Sequence, residues 1–176
     1  VAHTLERDNG FKVFVPGRTE LVSGDRGPVF FVDYGHTPEA FAHTLKALRA
    51  VSAGRVIMVF GADGDRDTTK RADMGAIAAT GADVVIVTDF HPRSEDPHAI
   101  RAALLAGARG ADTAADIREV ADPRLAVREA IALATPDDII LYAGPGHEDY
   151  RDLGTRRIAY SARDDVRLAL SEAGWN

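Results

Sequence analysis

The sequence contains no cysteine, which excludes disulfides, thiolate nucleophiles and cysteine-ligated zinc. Its longest apolar runs are strand-length, far short of the ~20 residues of a membrane-spanning helix. The opening segment, VAHTLERDNG, lacks the apolar stretch of a secretory signal. Positive charge is in deficit, with 21 Lys and Arg against 27 Asp and Glu and a net charge of -6. That argues against a general nucleic-acid binder, which needs a basic surface to neutralise phosphates. No repeat period or low-complexity tract is present. Several catalytic signatures are missing too: no G-x-x-x-x-G-K-[ST] phosphate loop, no G-x-G-x-x-G after the first strand, no G-x-S-x-G and no H-E-x-x-H. The expectation is a cytoplasmic protein with no nucleic-acid partner and no membrane insertion. Its start, without Met and already mid-pattern, suggests a chain cut from something longer.

What is present is the composition of one globular domain spanning 1–176: 45% hydrophobic and 27% charged residues over 176 positions. Four apolar runs, Val29–Val32, Val56–Phe60, Val84–Val87 and Ile139–Ala143, are rich in β-branched and aromatic residues and do not alternate with polar ones. Strands covered on both faces of a parallel sheet have this pattern. Helices are expected between and after them. Thr37-Pro38 supplies a cap and a first-turn proline before Phe41, Leu45 and Leu48. Lys70–Thr80 and Pro97–Leu105 carry apolar faces, Asp122-Pro123 starts a further helix, and Ser161-x-x-Asp164 opens a last one that Gly174 stops. Short strands are expected at Lys12–Val15 and Ile117–Val120. The alternation predicts a doubly wound, mostly parallel, Rossmann-like α/β sheet with helices on both faces.

In such a sheet the C-terminal ends of the parallel strands share one edge, where ligands bind. The segments that follow the four runs are DYGHTPE, GADGDRDTTKR, TDFHPRSED and GPGHEDY, and they hold three of the six histidines. Asp33 and His36 bracket a tight turn. The Asp63–Asp67 segment begins like a calcium loop but has Thr68 and Met74 at the glycine and glutamate positions, and its Arg66, Lys70 and Arg71 suit an anion better. Arg93 lies beside Glu95 and Asp96, which could simply pair with it. Glu148 could be a solvated loop residue or could receive an ammonium group.

These segments resemble the Mur ligases, and within them the branch that adds the third residue of the peptidoglycan stem peptide. VPGR (Val15–Arg18), DYGHTP (Asp33–Pro38), GDRDTTKR (Gly64–Arg71), Pro92-Arg93 and GPGHEDY (Gly144–Tyr150) fall in that family's order and spacing. The match covers nearly the whole chain and corresponds to the family's C-terminal domain. DYGHTP looks like the branch's D-Y-A-H-T-P, whereas ligases that build folylpolyglutamate or cyanophycin carry H-N-P there. The resemblance implies an ATP-dependent enzyme that joins a diamino acid to UDP-N-acetylmuramoyl-L-alanyl-D-glutamate through an acyl phosphate. Its ATP and Mg2+ would be bound mainly by a central domain, and N-terminal and central domains would be this chain's partners. It implies that Arg18, Asp33, Tyr34 and His36 face the nucleotide. Arg66, Phe90, His91, Pro92, Arg93, Gly144 and Glu148 would line the amino-acid site, with no catalytic side chain or metal ligand in this part.

Two positions depart from the family. Phe90-His91-Pro92-Arg93 stands where diaminopimelate-adding members have D-N-P-R, and Gly144-Pro145-Gly146-His147-Glu148 replaces G-K-G-H-E. The guanidinium of Arg93 favours meso-diaminopimelate, whose far end carries a second carboxylate. His91 keeps L-lysine open. Another Mur-like ligase, or a non-catalytic Rossmann-like nucleotide-binding module, are the alternatives.

Overall fold

The computed structural model describes residues 17–175. The expected strand at Lys12–Val15 and the first two residues of VPGR lie outside them. In chain order the elements are β1 (Glu20–Leu21), β2 (Val29–Asp33), α1 (Pro38–Val51), β3 (Val56–Phe60), α2 (Lys70–Gly81), β4 (Val84–Val87) and α3 (Pro97–Gly110). Then follow β5 (Asp116–Glu119), α4 (Pro123–Leu133), β6 (Ile139–Ala143), β7 (Tyr150–Asp152), β8 (Arg157–Ala159) and α5 (Ala162–Glu172). Six strands make one sheet in the order β1-β2-β6-β3-β4-β5, with β7 and β8 paired separately. β1 is antiparallel to β2, and the other pairings of the large sheet are parallel.

The continuous apolar strands follow from having helices on both faces. Val56, Met58 and Phe60 point into one layer with Phe41, Leu45, Met74 and Leu104 from α1, α2 and α3. Ile57 and Val59 point into the other with Val127, Ile131, Val166 and Leu170 from α4 and α5. Helix starts follow local chemistry. The side chains of Thr37, Asp96, Asp122 and Ser161 each accept a backbone N–H of the first turn, and proline follows the first three. The α3 helix runs past Leu105 to Gly110 because Leu105 and Ala108 keep the apolar stripe going. Between α2 and α3 the backbones approach so closely that a Cβ on Gly75 would overlap the Leu104 carbonyl, and one on Gly107 the Ala72 carbonyl.

This topology fixes where a ligand can sit. The connections from β2, β3 and β4 lead to helices on one face, whereas those from β5 and β6 lead to the other. β6 lies between β2 and β3, so the chain leaves in opposite directions on both sides of it. A crevice opens at such a switch point, at the C-terminal ends of the strands. The segment that follows β6 there is GPGHEDY.

Candidate functional site

The loops at this edge are tied to one another by backbone and carboxylate contacts. The Asp33 carbonyl accepts the N–H groups of Gly144 (2.9 Å) and Gly146 (3.2 Å). Its carboxylate accepts Thr19 N–H at 2.7 Å and Gly35 N–H at 2.6 Å, so both oxygens of Asp33 are committed to shaping the turn. Gly146 has φ +49 and packs where a Cβ would meet the Tyr34 ring, which explains a glycine there. Arg18 lies over the same ring, 4.9 Å from its centroid. The rings of His36 and His147 approach Tyr34 with centroids at 5.1 Å and 5.4 Å. His36 Nδ1 lies 2.8 Å from the Tyr34 carbonyl, so Nδ1 carries the proton and Nε2 is left as an acceptor. The four residues expected at a nucleotide are thus together: Arg18, Tyr34 and His36 form a cationic and aromatic surface, and Asp33 supports it from beneath.

A second group surrounds the ends of β3 and β4. His91 is buried between Phe90 and Tyr150, with ring centroids at 3.9 Å and 5.2 Å. Its Nδ1 accepts the Asp152 N–H at 2.9 Å, which leaves the proton on Nε2, 2.8 Å from Glu148 Oε2. The Glu148 carboxylate is therefore held in place, with the side chain one-fifth exposed. Arg93 has φ +50, a conformation costly for a residue with a Cβ. It is imposed from outside, since Arg93 N–H donates to the Asp152 carbonyl at 3.2 Å. The non-glycine residues with positive φ among those described, Thr19, Asp65 and Arg93, all lie at this edge.

Of the cations in the loop after β3, Arg71 is buried and forms a two-pronged contact with Glu95 at 2.8 and 2.9 Å. That contact holds the Glu95 carboxyl below its ordinary value, helped by the Asp65 N–H and opposed by burial. Lys70 donates to the His36 carbonyl at 3.0 Å. Arg66 projects into solvent and touches only the Asp65 carbonyl, at 3.3 Å. Arg93 pairs with neither Glu95 nor Asp96. Its Nη2 lies 3.1 Å from Asp63 Oδ1 and its Nη1 donates to the Gly64 carbonyl at 2.9 Å.

The sequence model of the family described as "Mur ligase, glutamate ligase domain" matches residues 17–146. The chain belongs to this Mur ligase family. It is 66% identical, over 99% of its length, to a UDP-N-acetylmuramyl-tripeptide synthetase of Leifsonia xyli, of which it covers 34%. It is 49% identical over 91% of its length to a UDP-N-acetylmuramoyl-L-alanyl-D-glutamate--2,6-diaminopimelate ligase of Synechococcus elongatus, covering 32% of that protein. A solved 2,6-diaminopimelate ligase of the same name superposes with a TM-score of 0.82 at 34% identity, over 93% of this chain and 33% of that one. The chain thus spans about a third of the length of the relatives it matches.

In the Mur ligase chain, several residues at this edge escape sequence reasoning. Asp63 stands in a segment that reads as a failed calcium loop, and nothing in its spacing joins it to Arg93. Arg101 contacts both Asp89 and Glu119, the latter at 2.8 Å, while Arg151 donates to the Phe90 carbonyl at 3.1 Å. This buried ionic group braces the Phe90-His91 segment. The described residues include no group of three His, Asp or Glu side chains placed to hold a metal ion. They also supply no phosphate-cradling loop. No helix among them is long and apolar enough to cross a membrane.

Proposed function

We propose that this chain is the amino-acid-receiving domain of a longer, cytoplasmic ATP-dependent amide ligase that joins a diamino acid to UDP-N-acetylmuramoyl-L-alanyl-D-glutamate. The single observation that carries the reading is the Glu148 carboxylate, fixed by a neutral His91 at the sheet's switch point and facing the edge that also presents Arg66. A carboxylate suits the ammonium end of an amino acid, and a guanidinium suits its carboxylate in a bidentate contact. The family and its peptidoglycan-ligase relatives support the same reading.

ATP, with Mg2+, would supply activation of the acceptor's carboxylate, and the groups that hold them would lie mainly in the length of the relatives that this chain does not cover. The residues here bind and orient. Arg66 and Glu148 place the incoming amino acid so that its amine meets the activated carbonyl. The Tyr34 surface, with Arg18 and His36, closes over one side of the nucleotide. Holding both reactants in register accounts for much of the rate in reactions of this kind. The test is an assay of the intact protein with ATP, UDP-N-acetylmuramoyl-L-alanyl-D-glutamate and a panel of diamino acids. ADP and a new amide should appear in equal amounts. Nucleotide binding without amide formation from any of them would instead favour a non-catalytic module.

A further inference from the structure

We propose that Asp63 determines specificity in the amino-acid site, turning it toward a side chain that ends in an ammonium group and away from one that ends in a second carboxylate. The inference rests on the ligase reading above. Arg93 is the guanidinium that would receive a distal carboxylate, yet its charge is compensated within the protein. Nη2 lies 3.1 Å from Asp63 Oδ1, the two side chains being 22% and 17% exposed, and Nη1 is committed to the Gly64 carbonyl. A ligand carboxylate brought to Arg93 would come up beside the Asp63 anion, and like charges at that range in a half-buried place oppose each other. Arg71 offers no substitute because Glu95 takes it up. That leaves Arg66 as the exposed guanidinium of this loop, sufficient for the one carboxylate that every α-amino acid carries.

The unmet valence points the same way. Asp63 Oδ1 is buried and receives no hydrogen bond from any described residue, because the contact with Arg93 is close in distance but not aligned for one. A buried carboxylate oxygen without a donor is costly. An ammonium group brings three donors and no acceptor, so it is favoured beside this under-satisfied carboxylate where a second carboxylate is opposed. The Nη1 hydrogen bond to the Gly64 carbonyl at 2.9 Å holds the guanidinium beside Asp63, while the Asp152 carbonyl clamps the backbone from which it projects.

The test is kcat/KM of the intact enzyme with L-lysine and with meso-diaminopimelate, for the wild type, Asp63→Asn and Asp63→Ser. The wild type should favour lysine by about tenfold or more. Asp63→Asn keeps the shape and removes the charge. It should shrink that preference by about tenfold, through KM for the amino acid, with KM for ATP unchanged. A wild-type preference for meso-diaminopimelate, or an unchanged ratio in the variant, overturns the proposal. Should Asp63→Asn fail to fold, Asp63→Ser gives the same comparison. Absence of amide from every diamino acid in the wild type is a different result: it removes the ligase reading itself, and the proposal with it.

Discussion

His91 has both ring nitrogens committed and aromatic rings on either side, so the carboxylate it holds is positioned before any ligand arrives. The resemblance to the Mur ligases, read from the sequence, placed Phe90, His91 and Glu148 in one site. It could not supply the tautomer, which depends on a backbone N–H from Asp152, 61 residues away. Arg93 was legible as a guanidinium at the edge, with Glu95 and Asp96 as its candidate partners, but not as the partner of Asp63, because that residue comes from another loop. At the opposite edge of the sheet Asp138 closes the start of β6. Its carboxylate accepts Arg55 N–H at 2.6 Å, Arg55 Nη2 at 2.8 Å and Thr135 N–H at 2.8 Å. Burial works to raise this carboxyl, but the Arg55 and Thr135 hydrogen bonds outweigh it and hold it below the ordinary 3.8. A depressed folded value means that the stability Asp138 adds is present above its unfolded value and is lost as pH falls through the lower folded one. Asp138→Asn would turn an amide N–H2 toward those donors and should cost about 2 kcal/mol near neutral pH. Denaturant unfolding of both proteins from pH 7 to pH 2 should show the difference shrinking in acid. A constant gap across that range would mean the charge is not what matters.

At the scale of elements, most of the fold was legible. The four apolar runs are strands at the expected places, and the Thr37, Asp122 and Ser161 starts open helices. The β7–β8 hairpin was not foreseen. Each strand is three residues long, mostly polar, and pairs only with the other, so no periodicity announces it; its contacts with Phe90, His91 and Arg93 are tertiary. The α2–α3 crossing was equally hidden, since a glycine within a helix reads only as a weak position. Ordinarily Gly→Ala inside a helix gains about 0.5–1 kcal/mol. At Gly107 the added methyl would overlap the Ala72 carbonyl, and forcing two packed helices apart costs about 1–3 kcal/mol. The clash is the larger effect, so Gly107→Ala should lower stability by roughly 1–2 kcal/mol. A thermal melt showing stabilisation would contradict the close crossing.

For the whole molecule, the decisive feature is topological: β6 lies between two strands whose connections leave on the other face, and this opens the crevice where the loops converge. The sequence disclosed that the loops share an edge. It did not disclose the strand order that puts GPGHEDY at the middle of it, because pairing between distant segments leaves no local pattern. If this edge receives the amino acid, its charge should matter for that substrate and not for ATP. Glu148→Gln in the intact enzyme tests this most directly, since glutamine can still accept the His91 Nε2–H and only the negative charge is lost. The expected result is a KM for the diamino acid raised about tenfold or more, with KM for ATP unchanged. Equal changes in both constants, or a change in ATP alone, would contradict an amino-acid site at Glu148.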